Sequence, residues 1–195
     1  NAGRFMKYIY SEQASSSFKP IAYELRIGGK GKVPPLTVTT ERGNRVNIAG
    51  ICDRVDVYRG EEKDYLRVVD YKTGSRNFSL DRIYNGLPMQ MQIYMYVLIR
   101  QQFAKKDNPV LPGGVVYQHS DADAYFDKSE TEAKLYMADG MALAEEEICR
   151  AFDKNEKGEY GVIKNDKGKI KKLPGSEAVS RGKFGAVLEY VKDAV

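Results

Sequence analysis

The sequence predicts an α/β domain, a mixed β-sheet flanked by helices. Three observations lead there. The first 72 residues carry short runs rich in β-branched and aromatic residues, divided by glycine-bearing polar breaks. The apolar period then lengthens to that of a helix, returns to a strand, and becomes helical again. The composition, with 195 residues, 42% hydrophobic and 30% charged, suits one domain with a sizeable core. Strands first, then helix, strand and helices, describe a twisted sheet with helices packed on it.

The elements follow in order. Residues 4–13 read as a short helix or the tail of one. Residues 21–27 (IAYELRI) alternate as a strand does, and the glycine-rich stretch 28–32 ends it. Residues 36–40 form a second, β-branched strand. Two longer strands, 46–58 and 65–72, are joined as a hairpin across the polar stretch 59–64. Ser79 caps a short helix that Asn85-Gly86 closes. Residues 87–106 are a long helix with Pro88 in its first turn. Residues 115–117, after Pro112-Gly113-Gly114, read as a buried strand. Residues 131–152 are expected to be mainly helical, broken near Gly140. Residues 154–172, charged and punctuated by glycine, form a small hairpin around Asp166-Lys167-Gly168 or a loop. Ser180 starts a last helix.

No apolar run is long enough to span a bilayer, so no membrane contact is expected. The N-terminus lacks the pattern of a secretory signal. A net charge of +4 permits nucleic-acid binding without requiring it. Two cysteines, Cys52 and Cys149, without a CxxC, build neither a disulfide framework nor a cysteine-rich zinc site. A reducing, cytoplasmic setting is the expectation. The opening Asn1-Ala2, with no methionine, reads as a fragment excised from a longer chain, with residues 1–195 as one domain.

Chemistry concentrates in residues 50–56 (GICDRVD) and 68–74 (VVDYKTG). Side chains alternate along a strand, so Asp70 and Lys72 share a face and Tyr71 takes the other. The hairpin returns Asp53 beside them. Two carboxylates at bonding distance repel unless a cation lies between them. Hard cations such as Mg²⁺ take oxygen ligands and serve phosphodiester hydrolysis, while a nearby ammonium stabilises developing charge. A surface hairpin bearing an ordinary Asp–Lys ion pair is the alternative, and it stays open at this point. Against it, these charges directly follow apolar strand residues, where unpaired burial costs several kcal/mol.

The two segments resemble the halves of the core motif of the PD-(D/E)XK nuclease superfamily, in its RecB-like branch. The Q-x-x-x-Y motif of that branch matches Gln90 to Tyr94 on the following helix. Within the branch, the AddB-like family of helicase/deoxyribonuclease subunits is the nearest in pattern. Glu24 in YELRIG resembles its E-x-x-FG, and NGLPMQMQIYMY, GGVVYQHSDADAYF and MADGMALAEEEICRAFD resemble its later segments. The resemblance covers residues 21–152 and, more weakly, the remainder.

It implies a restriction-endonuclease-like fold and a DNA exonuclease. Asp53, Asp70 and the carbonyl of Tyr71 would bind Mg²⁺, with Mn²⁺ as the alternative ion, and Lys72 would be the catalytic lysine. Gln90 and Tyr94 would position the lysine, the metal shell or the DNA. Glu24 is either an added acidic site residue or a strand-surface carboxylate. The implied partners are DNA ends and an AddA-type helicase–nuclease subunit, in a complex that processes double-strand breaks for recombinational repair. The family's 4Fe–4S cluster needs about four thiolates, so it is expected in a longer parent and not in this chain. The family's metal-binding histidine before the first strand has no counterpart, since the one histidine is His119. The competing functions are a non-catalytic DNA-binding or assembly module that keeps the fold, and a free-standing RecB-like nuclease. Arg54 is read as an ion-pairing residue, Asp56 as structural, and His119 as a hydrogen-bonding residue at a strand end.

Overall fold

A computed structural model describes residues 2–74, 78–87, 89–120 and 136–195. Helix α1 (Ala2–Ser15) buries Tyr8, Ile9 and Glu12. It leads into β1 (Lys19–Ile27), the short hairpin of β2 (Leu36–Thr39) and β3 (Arg45–Ile48), and the long hairpin of β4 (Gly50–Arg59) and β5 (Asp64–Lys72). Helices α2 (Leu80–Tyr84) and α3 (Gln90–Arg100) precede β6 (Val110–His119) and β7 (Asp139–Leu143). Helix α4 (Glu146–Phe152), the hairpin of β8 (Ile163–Asp166) and β9 (Lys169–Lys172), β10 (Ser176–Val179) and α5 (Arg181–Asp193) complete the described elements.

Six strands form one sheet in the order β1-β4-β5-β6-β7-β10. β4 is antiparallel to β1 and β5, β6 is parallel to β5, and β10 is parallel to β7. The parallel β5/β6 pair needs a crossover, and α2 and α3 supply it. Register puts Val55, Val68 and Val115 side by side on one face, all fully buried. On the sheet α3 packs against β5 and β6, and it also meets α5. On the other face Phe18 and Phe152 pack around Arg67. The fold is the mixed sheet flanked by helices that the sequence predicts.

Local chemistry sets several boundaries. Ser79 Oγ accepts from the Asp81 N–H and Ser180 Oγ from the Lys183 N–H, so both serines cap helices as the sequence suggests. Lys167 and Gly168 take φ of 53° and 76° and close the β8/β9 hairpin.

The structure corrects other expectations. Residues 139–143 are a strand, not part of a helix, and residues 131–135 of that expected helix lie outside the described residues. Gly140 does not break a helix; it brings β7 against β6. Its φ is 144°, and a Cβ there would lie 2.1 Å from the Val115 carbonyl oxygen. The run 46–58 is two strands, broken at Ala49, and β3 pairs with β2 apart from the main sheet. The long helix is shorter than expected, with α3 ending at Arg100; Pro88 lies outside the described residues. β10 is a strand that the sequence did not suggest.

Candidate metal-hydrolysis site

The hairpin strands part at one point, and the candidate residues gather there. The β4/β5 pairs end at Arg54–Val69. Beyond them the Tyr71 N–H, which would otherwise continue the ladder, donates to Asp53 Oδ2 at 2.9 Å. Extending the register sets Asp53 level with Asp70, on the same face. The N–H and C=O of one strand residue point to the same side, so the Tyr71 carbonyl faces the gap that Asp53 lines. Lys72 Nζ lies 2.6 Å from Asp70 Oδ2, with the lysine side chain 46% exposed and that of Asp70 11% exposed. Asp53, Asp70 and Lys72 are therefore brought together.

Burial raises the Asp70 carboxyl above the ordinary carboxylate range. The hydrogen-bonding and charge of Lys72 work against that rise, and the Asp53 charge adds to it. Among the described residues, Asp70 Oδ2 is buried and its closest compensation is the Lys72 ammonium, with a smaller contribution from His119.

The opposite face of the same two strands holds a buried ion network. Glu12 of α1 meets Arg54 Nη2 at 3.2 Å and Arg67 Nη2 at 2.8 Å. Asp56 meets Arg54 Nε at 3.0 Å and Arg67 Nη2 at 2.6 Å. Two acids balance two guanidiniums, which is how charge survives burial. Burial alone would disfavour the Arg54 charge, but Asp56 and then Glu12 more than restore it. Arg54 Nη1 also donates to Tyr71 Oη at 2.8 Å. One residue thus joins the two faces: the Tyr71 side chain is held by the network and its main chain by Asp53. Arg54 is ion-paired and Asp56 structural, as expected; the share taken by Glu12 was not foreseen.

The remaining site candidates are placed differently. Gln90 Nε2 donates to Tyr94 Oη at 2.8 Å, so the Q-x-x-x-Y residues bind each other. Tyr94 also presses on the first residue of β4: a Cβ on Gly50 would lie 1.9 Å from Tyr94 Oη, so only glycine fits. No hydrogen bond among the described residues joins Gln90 or Tyr94 to Asp53, Asp70 or Lys72. Glu24 lies level with Asp53 across the β1/β4 pair, is exposed, and has left-handed backbone (φ 46°).

Beyond Lys72, His119 Nδ1 lies 2.9 Å from the Gly74 carbonyl and Nε2 lies 3.1 Å from Asp139 Oδ1. The Phe78 N–H donates to Asp139 Oδ2 at 3.1 Å. His119 is a hydrogen-bonding residue, as its position on a strand suggested. Asp139 had no signal in the sequence, because its segment reads as helix.

Two groups implied by the resemblance can be tested against these side chains. For a hard divalent ion, Asp53, Asp70 and the Tyr71 carbonyl offer oxygen donors, and the largely buried Asp70 carboxylate has one ammonium, that of Lys72, beside it. The donor set fits such an ion in kind, although no cluster of three or more His, Cys, Asp or Glu side chains poised for a metal occurs among the described residues. A 4Fe–4S cluster does not fit this chain. Its only thiols, Cys52 and Cys149, are free and buried, and burial pushes Cys52 up to about 12 and Cys149 up to about 11.

A mixed sheet that opens between two strands beside Asp53, Asp70 and Lys72 is the arrangement that the resemblance in the sequence implied. The chain belongs to the PD-(D/E)XK nuclease superfamily, whose family model matches residues 2–169. Among individual proteins it is similar to the B-type subunit of the ATP-dependent helicase/deoxyribonuclease of Acetivibrio thermocellus, 34% identical over 188 residues, covering 91% of this chain and 16% of that protein. The proteins of the same name from Clostridium novyi and Clostridium acetobutylicum are 33% and 26% identical, over 91% and 98% of this chain. The chain spans only 16–17% of the length of these relatives. It is a nuclease-fold domain homologous to part of a helicase/deoxyribonuclease subunit. No helix among the described residues is long and apolar enough to cross a membrane.

Proposed function

We propose that this domain hydrolyses phosphodiester bonds at DNA ends, as an exonuclease within a helicase–nuclease complex that prepares double-strand breaks for recombinational repair. The observation that carries the reading is the opening between β4 and β5, where Asp53 and Asp70 share a face and Lys72 stands 2.6 Å from Asp70. Asp53, Asp70 and the Tyr71 carbonyl would hold Mg²⁺, with Mn²⁺ as the alternative. Bound there, the ion supplies positive charge that polarises the phosphate and acidifies a water.

The protein's own residues do the rest. Asp53 and Asp70 hold the negative side of the site fixed. The Lys72 ammonium, half exposed, can turn from Asp70 to a non-bridging phosphate oxygen and stabilise the charge that grows there during attack. Gln90 and Tyr94 fix the start of β4 and hence the approach of Asp53. Glu24, level with Asp53 on the edge strand, would serve as the additional acidic residue that positions water. We assign an AddA-type helicase–nuclease subunit as partner, the cytoplasm as location, and a 4Fe–4S cluster to the longer parent alone.

With Mg²⁺ the chain should degrade linear DNA, and a chelator should stop it. Asp70→Ala and Lys72→Ala should each lower the rate by about 100-fold or more. Equal degradation by the wild type and both variants contradicts the assignment. A second reading, a DNA-binding or assembly module without catalysis, gains support from the direct closure of Lys72 on Asp70. It requires binding of linear DNA with no cleavage in either Mg²⁺ or Mn²⁺.

A further inference from the structure

A cleft of about 170 Å³ opens beside Lys72, and the candidate metal ligands do not account for it. Phe78, Ile83 and Tyr117 give it apolar wall, with the two aromatic rings 5.8 Å apart and tilted by 31°. Buried His119 and Asp139 line it as well. Drug-sized ligands fill clefts of about 300–1,000 Å³. This one matches a single planar ring system in size, and Lys72 is part of its lining.

The chemistry of the wall narrows the occupant further. Asp139 has both oxygens engaged, one near His119 Nε2 and one accepting from the Phe78 N–H. The other His119 nitrogen is engaged with the Gly74 carbonyl. These buried polar groups serve the protein itself, so they do not read base edges. Thr73, Ser79 and Arg82 complete the lining, and the surface that can hold a ring is the aromatic and aliphatic wall of Phe78, Ile83 and Tyr117, which binds any base by its π-face. The Lys72 charge beside it suits the phosphate joined to that base.

We propose that this cleft takes one unstacked nucleobase of the strand to be cut, the base next to the scissile phosphate, without regard to its identity. A base within a duplex cannot enter, so the substrate class is an unpaired strand or a frayed end. The proposal rests on the nuclease reading, because it places the phosphate of that nucleotide at Lys72.

The test uses single-stranded oligonucleotides carrying 2-aminopurine at successive positions, bound to this chain in Ca²⁺, with anisotropy reporting binding. Stacking should quench fluorescence strongly at one position and little at the others. An abasic residue at that position should weaken binding roughly 5- to 150-fold, and the four natural bases there should bind alike. Phe78→Leu, which keeps apolar bulk for folding, should abolish the quench at that position. Binding with uniform fluorescence, binding of blunt duplex alone, or an unchanged quench in Phe78→Leu overturns the cleft's role. Cleavage in Mg²⁺ with no position-specific quench leaves the nuclease reading standing and removes this one. A position-specific quench in a chain that cleaves in neither Mg²⁺ nor Mn²⁺ keeps the cleft and removes the hydrolytic centre.

Discussion

Asp70 shows the tension that a buried carboxylate carries. Burial raises its pKa, and its nearest compensation is a lysine that is itself half in water. The folded state therefore disfavours the ionised form relative to the unfolded chain, which costs stability at neutral pH. The sign follows. Without metal, stability falls as pH rises through the range just above ordinary carboxylate values, where the folded Asp70 must ionise against its burial. Asp70→Asn removes the charge and keeps the shape, while an exposed Lys72 loses little on losing its partner. Thermal unfolding in EDTA should find Asp70→Asn at least as stable as the wild type at pH 7, without that pH-linked decline. Added Mg²⁺ should raise the melting temperature of the wild type and leave the variant unmoved. A clear loss of stability in the metal-free variant would show that Asp70 serves the fold and not an ion.

At the scale of elements, α1 and the β4/β5 hairpin are fastened by charge. Among the described residues, Glu12 is the one residue of the helix that pairs with Arg54 and Arg67. Glu12→Ala leaves two buried guanidiniums facing one carboxylate, and such breaks cost about 3–5 kcal/mol. Urea denaturation should read a loss of that size; a loss below about 1 kcal/mol would mean that α1 docks through Tyr8 and Ile9 alone. The sequence made the hairpin legible because its strands are apolar, its loop is polar, and Asp70 and Lys72 alternate with Tyr71. Ser79 and Ser180 were legible as caps for an equally local reason. Glu12 was not, because its partners lie more than forty residues away and no local pattern marks them. Residues 139–143 misled for a different reason. All five are buried, so the strand shows no alternation, and Met, Ala and Leu then suggest a helix. That misreading hid Asp139, and with it one wall of the cleft beside Lys72.

Over the whole molecule, the sheet divides its labour between two faces. One carries the buried network of Glu12, Arg54, Asp56 and Arg67, and the other carries Asp53, Asp70 and Lys72. Tyr71 belongs to both, so the buried network can hold the candidate site in place. The family assignment rests on most of the chain, whereas the relatives are about six times longer. Hence the helicase–nuclease complex is a property proposed for a parent, and the hydrolytic centre is a property proposed for this domain. A crystal soaked in Mn²⁺ and measured for anomalous scattering tests that centre most directly. The account predicts a peak in the opening between β4 and β5, within bonding distance of Asp53, Asp70 and the Tyr71 carbonyl. An opening without a peak, with DNA still cleaved in Mn²⁺ by the same protein, would contradict it.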